Sequence, residues 1–169
     1  MTSAPSRRTA APPIDIQVQS PLWDAQPLAA QTARDAIAAA ATALATPDGE
    51  VSIVLTDDTS MQKLNRDWRG IDQPTNVLSF PAAKAAAQGP SPLLGDVIVA
   101  YETIEREAAE QAKPFQHHLA HIVVHGYLHL LGYDHQTDSE AGTMEGLERD
   151  ILSRLRIADP YCGYAPGDA

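Results

Sequence analysis

A chain of 169 residues has the length of one domain with short tails, and its 44% hydrophobic and 20% charged residues exclude wholesale disorder and any collagen-like or low-complexity class. Twelve Lys and Arg against 22 Asp and Glu give a net charge of −10. That sign excludes a broad electrostatic grip on nucleic acid, so any RNA or DNA contact has to use a local basic patch.

Residues 1–13 are mostly Ser, Ala, Arg, Thr and Pro without periodicity and read as a loose tail. Arg7 and Arg8 precede no apolar run, so a secretory signal is not expected. Residues 14–19 alternate apolar and polar side chains, as a half-buried strand does, and Pro21 ends the pattern. The Ala-rich run 28–45 predicts a helix that stops at Pro47-Asp48-Gly49, and the β-branched run 51–55 predicts the next strand. Asp57, Asp58, Thr59 and Ser60 offer N-caps, with Gln62 three residues after Thr59 as in a capping box, for a short helix over about 60–67. Residues 76–80 predict a third strand, 82–92 a mobile loop and 96–100 a fourth strand. Helices over about 102–112 and 115–131 come next, parted by Pro114. Asp138 or Ser139 caps a last helix that turns Met144, Leu147, Ile151, Leu152 and Leu155 inward. Residues 158–169 hold Pro160, Gly163, Pro166 and Gly167 and read as a second loose tail. The lone Cys162 can form no internal disulfide, which fits a reducing, cytoplasmic setting. No stretch approaches the ~18 apolar residues of a membrane span. The order of elements predicts a single α/β (α+β) domain over 14–157, with a mixed four-stranded sheet and about five helices covering one face.

The chemistry concentrates between His121 and His135. His125 and His129 are i and i+4, so on a helix they share one face within reach of one ion. Gly132 permits the left-handed turn that ends the helix and lets His135 approach the same ion from a loop. Three imidazoles without a fourth protein ligand leave a position open, the arrangement of a catalytic zinc, although imidazole suits copper, iron and nickel as well. His121 sits two turns, about 12 Å, before His129 and cannot share the ion, so it reads as a packing or supporting residue. His117 and His118 read as surface or cap residues. Asp134 reads either as acceptor for a ligating imidazole or as a turn residue.

The His125, His129, His135 spacing is similar to that of the metzincin peptidases, His-Glu-x-x-His-x-x-Gly-x-x-His, but Gly126 stands where their general base does. More specifically, residues 125–135 match at every fixed position the signature H-G-x-L-H-L-x-G-Y-D-H of the YbeY family of metal-dependent endoribonucleases, also described as ribosomal RNA maturation factors. Residues 69–81 resemble that family's R-G-x-D-x-P-T-N-V-L-S-F-P block, and Leu94-Gly95-Asp96-Val97 resembles its L-G-D-I/V strand. The resemblance covers about 14–157. It implies one Zn²⁺ per chain on His125, His129 and His135, Arg69 as a catalytic residue in the cleft, and cleavage of single-stranded RNA. It further implies a role in processing the 3′ end of small-subunit ribosomal RNA and in ribosome quality control, with ribosomal RNA and the ribosome or its associated proteins as partners. Neither a membrane nor a small-molecule cofactor is implied.

RNA carries its own nucleophile, the 2′-hydroxyl, so a site lacking a protein base can still promote cleavage; direct attack by metal-bound hydroxide is the other route. From Lys63 to Lys84 the segment holds four basic residues (Lys63, Arg66, Arg69, Lys84) and two acidic ones (Asp67, Asp72), a local excess of positive charge beside the metal. Two rival readings are a zinc peptidase-like hydrolase with an unusual base and a non-catalytic ribosome-assembly factor with a structural zinc.

Overall fold

The alternating segment after Pro13 forms β1 (Ile14–Val18), and Pro21 starts a short 3-10 helix (Pro21–Ala25). The chain continues as α1 (Ala29–Leu44), β2 (Glu50–Thr56), α2 (Asp58–Arg69), β3 (Val77–Pro81), β4 (Leu93–Ala100), α3 (Tyr101–Glu110), α4 (Phe115–Leu130) and α5 (Asp138–Arg154). This computed structural model describes residues 13–45, 49–83 and 92–161; the expected N-terminal tail up to residue 12, most of the expected 82–92 loop, and the C-terminal residues 162–169 with Cys162 lie outside the described residues. Strand order is β1-β2-β4-β3, with β1, β2 and β4 parallel and β3 antiparallel to β4. The four-stranded mixed sheet and five α-helices of the sequence reading are present among the described residues.

Strand alternation sorts the side chains onto two faces. Val51, Ile53 and Leu55 of β2 and Val97 and Val99 of β4 join a core completed by α1, α4 and α5. Ala29, Ala33, Ala36 and Ala40 are buried on α1, small side chains on the face that packs along α4. Leu78 and Ala100 point the other way, where Met61 of α2 is fully buried against them and Leu64, Phe80 and Ile98 pack around the group. The expectation of helices on one face is therefore too narrow: β3 and β4 are apolar on both sides, and α2 covers part of the second.

The 3-10 helix went unforeseen, being too short for a periodic signal. Its Trp23 is buried, stands edge-on to Tyr101 and Phe115, and donates its indole N–H to Thr56 O at 2.9 Å. Of the four N-cap candidates before α2, Asp57 accepts from Ser60 N at 2.9 Å, so the capping box at Thr59 does not form; before α5 the cap differs from expectation, since Thr137, rather than Asp138 or Ser139, accepts from Glu140 N at 3.1 Å. In both cases the capping residue has the extended backbone that aims a side chain back at the helix start. The expected tail boundary at residue 158 also moves, because 158–161 lie against the domain. Asp159 Oδ2 is 3.1 Å from Arg149 Nε, Lys113 Nζ donates to Pro160 O, and the Arg149 guanidinium stands over the Tyr161 ring.

Candidate metal centre

α4 is buried along most of its length by Leu119, Ala120, Val123, Val124, Tyr127 and Leu128, so its polar positions open only where the packing ends. His125 and His129 occupy such a strip one turn apart, with their Nε2 atoms 3.1 Å from each other. The helix stops through paired hydrogen bonds, Gly132 N to His129 O and Tyr133 N to Leu128 O, both 3.1 Å, with Gly132 at φ 97°. This left-handed turn is strained for any residue with a Cβ and free for glycine. It returns the chain so that one ligand atom from each of His125, His129 and His135 lies within 4.8 Å of the others. Among the described residues this is the only group of histidine, cysteine and carboxylate side chains so arranged. The convergence expected from the spacing is met, and the donor set fits a divalent transition ion: three imidazoles with no fourth protein ligand among the described residues.

The tautomer of His125 is set from behind. Glu148 on α5 is fully buried; its Oε1 is 2.5 Å from His125 Nδ1, its Oε2 is 3.0 Å from His121 Nε2, and it accepts from the Tyr161 hydroxyl. Burial alone would raise its pKa, but the hydrogen bonds from His121, His125 and Tyr161 outweigh this and hold it down at about 2. An ionised carboxylate only accepts, so His125 donates through Nδ1 and turns the lone pair of Nε2 to the site. His129 has its pKa lowered by burial and by the neighbouring His125 and His135, which favours the neutral form a metal needs.

Glu148 was not anticipated. Its sequence signal was an acid in phase with the inward stripe, four residues from both Met144 and Leu152. His121 is a supporting residue, as expected, acting through Glu148. Asp134 is not the imidazole acceptor: its Oδ1 accepts from the backbone N–H of His135 at 2.8 Å, bracing the loop as a turn residue does. His118 is not a surface residue either. It is buried, with Nε2 3.4 Å from Glu107 Oε1, because its position on α4 faces α3.

The three histidines line a cleft of about 560 Å³ whose wall also holds Asn76, Ser79 and Arg69. Arg69 is the last residue of α2, exposed, followed by Gly70 at φ 70°, and among the described residues no carboxylate pairs with it. Of the other expected basic residues, Arg66 is exposed with Nε 3.4 Å from Asp67 Oδ1, Lys63 is exposed, and Lys84 lies outside the described residues.

Gly126 faces the sheet. A Cβ there would lie 2.8 Å from Val97 Cγ1, 3.0 Å from Val77 Cγ2 and 3.2 Å from Ser79 Oγ, and the Ser79 hydroxyl donates to Gly126 O at 2.8 Å. Close approach of α4 to β3 and β4 leaves no room for the glutamate that a metzincin carries at this point of the motif.

A family model described as "Endoribonuclease YbeY" matches residues 17–156. The chain is 50% identical over 159 residues to the Endoribonuclease YbeY of Nitrobacter hamburgensis, covering 90% of this chain and 83% of that protein. It is 48% identical over 155 residues to the Endoribonuclease YbeY of Rhodopseudomonas palustris strain BisB18, covering 89% and 92%. A solution structure from Thermotoga maritima aligns at 23% identity with a TM-score of 0.47, over 92% of this chain and 99% of that one.

Proposed function

The chain belongs to the YbeY family of endoribonucleases, and from that membership we propose that it is a zinc-dependent endoribonuclease cutting single-stranded RNA, with His125, His129 and His135 as metal ligands and Arg69 as the catalytic side chain. Its cellular task on this reading is processing of the 3′ end of small-subunit ribosomal RNA and ribosome quality control, in the cytoplasm, in contact with the ribosome or its associated proteins. The observation that carries the reading is the convergence of three imidazoles in a cleft that Arg69 also lines.

His125, His129 and His135 would hold the zinc ion, which would supply Lewis acidity to the reaction. Arg69, without a carboxylate partner among the described residues, is free to bind the non-bridging oxygens of a scissile phosphate and to stabilise charge that builds there. Position 126 offers no general base and has no room for one, which favours a substrate that carries its own nucleophile, as RNA does in its 2′-hydroxyl; attack by a metal-bound hydroxide is the other route. A peptide carries no such nucleophile, which disfavours the peptidase reading.

The test compares metal content and cleavage of a ribosomal RNA fragment containing single-stranded segments for the wild type, Arg69→Ala and His129→Ala, each checked for fold. We expect about one zinc per chain in the wild type and Arg69→Ala and well under one in His129→Ala. Cleavage should fall by roughly 10²- to 10³-fold in Arg69→Ala and disappear in His129→Ala. A 2′,3′-cyclic phosphate on the products would mark the 2′-hydroxyl as nucleophile. Equal cleavage by all three proteins would assign the activity to a contaminant and leave the assembly-factor role.

A further inference from the structure

The inward stripe of α2 runs through Met61, Leu64 and Asn65 and should end, one turn on, with Trp68. Met61 and Asn65 are buried and Leu64 is half-buried, yet Trp68 is 70% exposed. The indole meets Phe80 in an edge-to-face arrangement, with ring centroids 5.5 Å apart and planes at 62°. Ile71, just past the helix, is exposed as well. An indole left in water forgoes most of the gain from burying so large a ring, and the other tryptophan, Trp23, is buried.

The position of the indole gives it a use. Arg69, next in sequence to Trp68, lines the metal cleft, and so do Ser79 and Pro81 on either side of Phe80. Strand alternation puts the Phe80 ring on the α2 face of β3, opposite the Ser79 side chain, so the Trp68–Phe80 pair adjoins the cleft wall through Arg69, with the indole mostly exposed. We propose that Trp68 is a stacking platform for an unpaired nucleobase of the RNA next to the phosphate held at Arg69. This rests on the ribonuclease reading. In a protein of net charge −10 with few cations around the site, stacking supplies affinity that charge cannot. It also selects for single strands, because a base locked in a duplex has no free face to offer.

The experiment measures binding of a 12-nucleotide 2′-O-methyl single strand, and of the same strand annealed to its complement, to zinc-loaded wild type, Trp68→Ala and Trp68→Tyr. Trp68→Ala is expected to weaken single-strand binding about tenfold with an unchanged dependence on salt. Trp68→Tyr should restore most of the loss, and duplex binding should not respond to either change. In a Trp23→Phe background, where Trp68 is the remaining indole, single strand should quench the fluorescence and duplex should not. Wild-type single-strand affinity and unquenched Trp68 in a protein that does bind and cut RNA would overturn the platform and leave the ribonuclease reading standing. Loss of self-association in Trp68→Ala with RNA affinity intact would overturn it in favour of a second copy of the chain. A wild type that binds no RNA would overturn both.

Discussion

Glu148 holds two histidines of α4 and the hydroxyl of Tyr161 with one buried carboxylate, and so fixes which nitrogen of His125 faces the cleft. Glutamine in its place keeps the shape but replaces one acceptor oxygen by an N–H₂ donor, which faces either a histidine nitrogen or the tyrosine hydroxyl with the wrong polarity. Glu148→Gln is therefore expected to lower metal affinity by about 10- to 100-fold, read by competition with a chromophoric chelator, while circular dichroism shows the helices intact. Unchanged affinity would mean that packing alone orients His125. Arg69 and Trp68 are the other residues whose roles rest on what they lack: no carboxylate pairs with the first among the described residues, and the ring of the second is left mostly in water.

Among the elements, α4 and the turn that ends it carry most of the function. One glycine lets the helix lie against β3 and β4, and another lets the chain reverse to deliver His135. Gly132→Ala meets no steric neighbour, since nothing lies within 4 Å of the added Cβ, so its effect is backbone strain alone. The left-handed conformation costs a residue with a Cβ about 1–2 kcal/mol, which should lower the melting temperature by a few degrees. If the turn relaxes, His135 withdraws and metal affinity falls further than stability does; chelator competition alongside thermal unfolding separates the two effects. Equal affinity in the variant would show that His135 is placed by the loop beyond Gly132 rather than by the turn. The strands and helices were legible as elements because their periodicity is local, from the alternation of β1 to the stripe of α5. Cap residues were less so, since Asp57, Asp58, Thr59 and Ser60 all qualify by type and only backbone direction chooses Asp57.

For the whole molecule, the net charge of −10 limits how RNA can be held. Four cations, Lys63, Arg66, Arg69 and Lys84, fall between residues 63 and 84 of the sequence; Arg69 lines the cleft, and Arg66 already has Asp67 beside it. Each neutralised phosphate of a single strand contributes roughly 0.7 to the slope of log affinity against log salt, so the slope should be no steeper than about −3 at constant zinc. A titration from 50 to 300 mM salt checks this, and a much steeper slope would point to a basic surface elsewhere on the chain.

The three histidines and their convergence were already written into a single stretch of 11 residues, because i, i+4 spacing and a glycine stop are local properties. Strand and helix order was equally local, resting on short-range patterns. Packing in three dimensions settled what stands around that stretch: Glu148 behind His125, 23 residues away, and Ser79 against Gly126, 47 residues away. It also settled that α2 covers part of the second face of the sheet and that Tyr161 returns to the domain. Each of these depends on how closely two elements approach in space, a distance that no pattern within either element encodes.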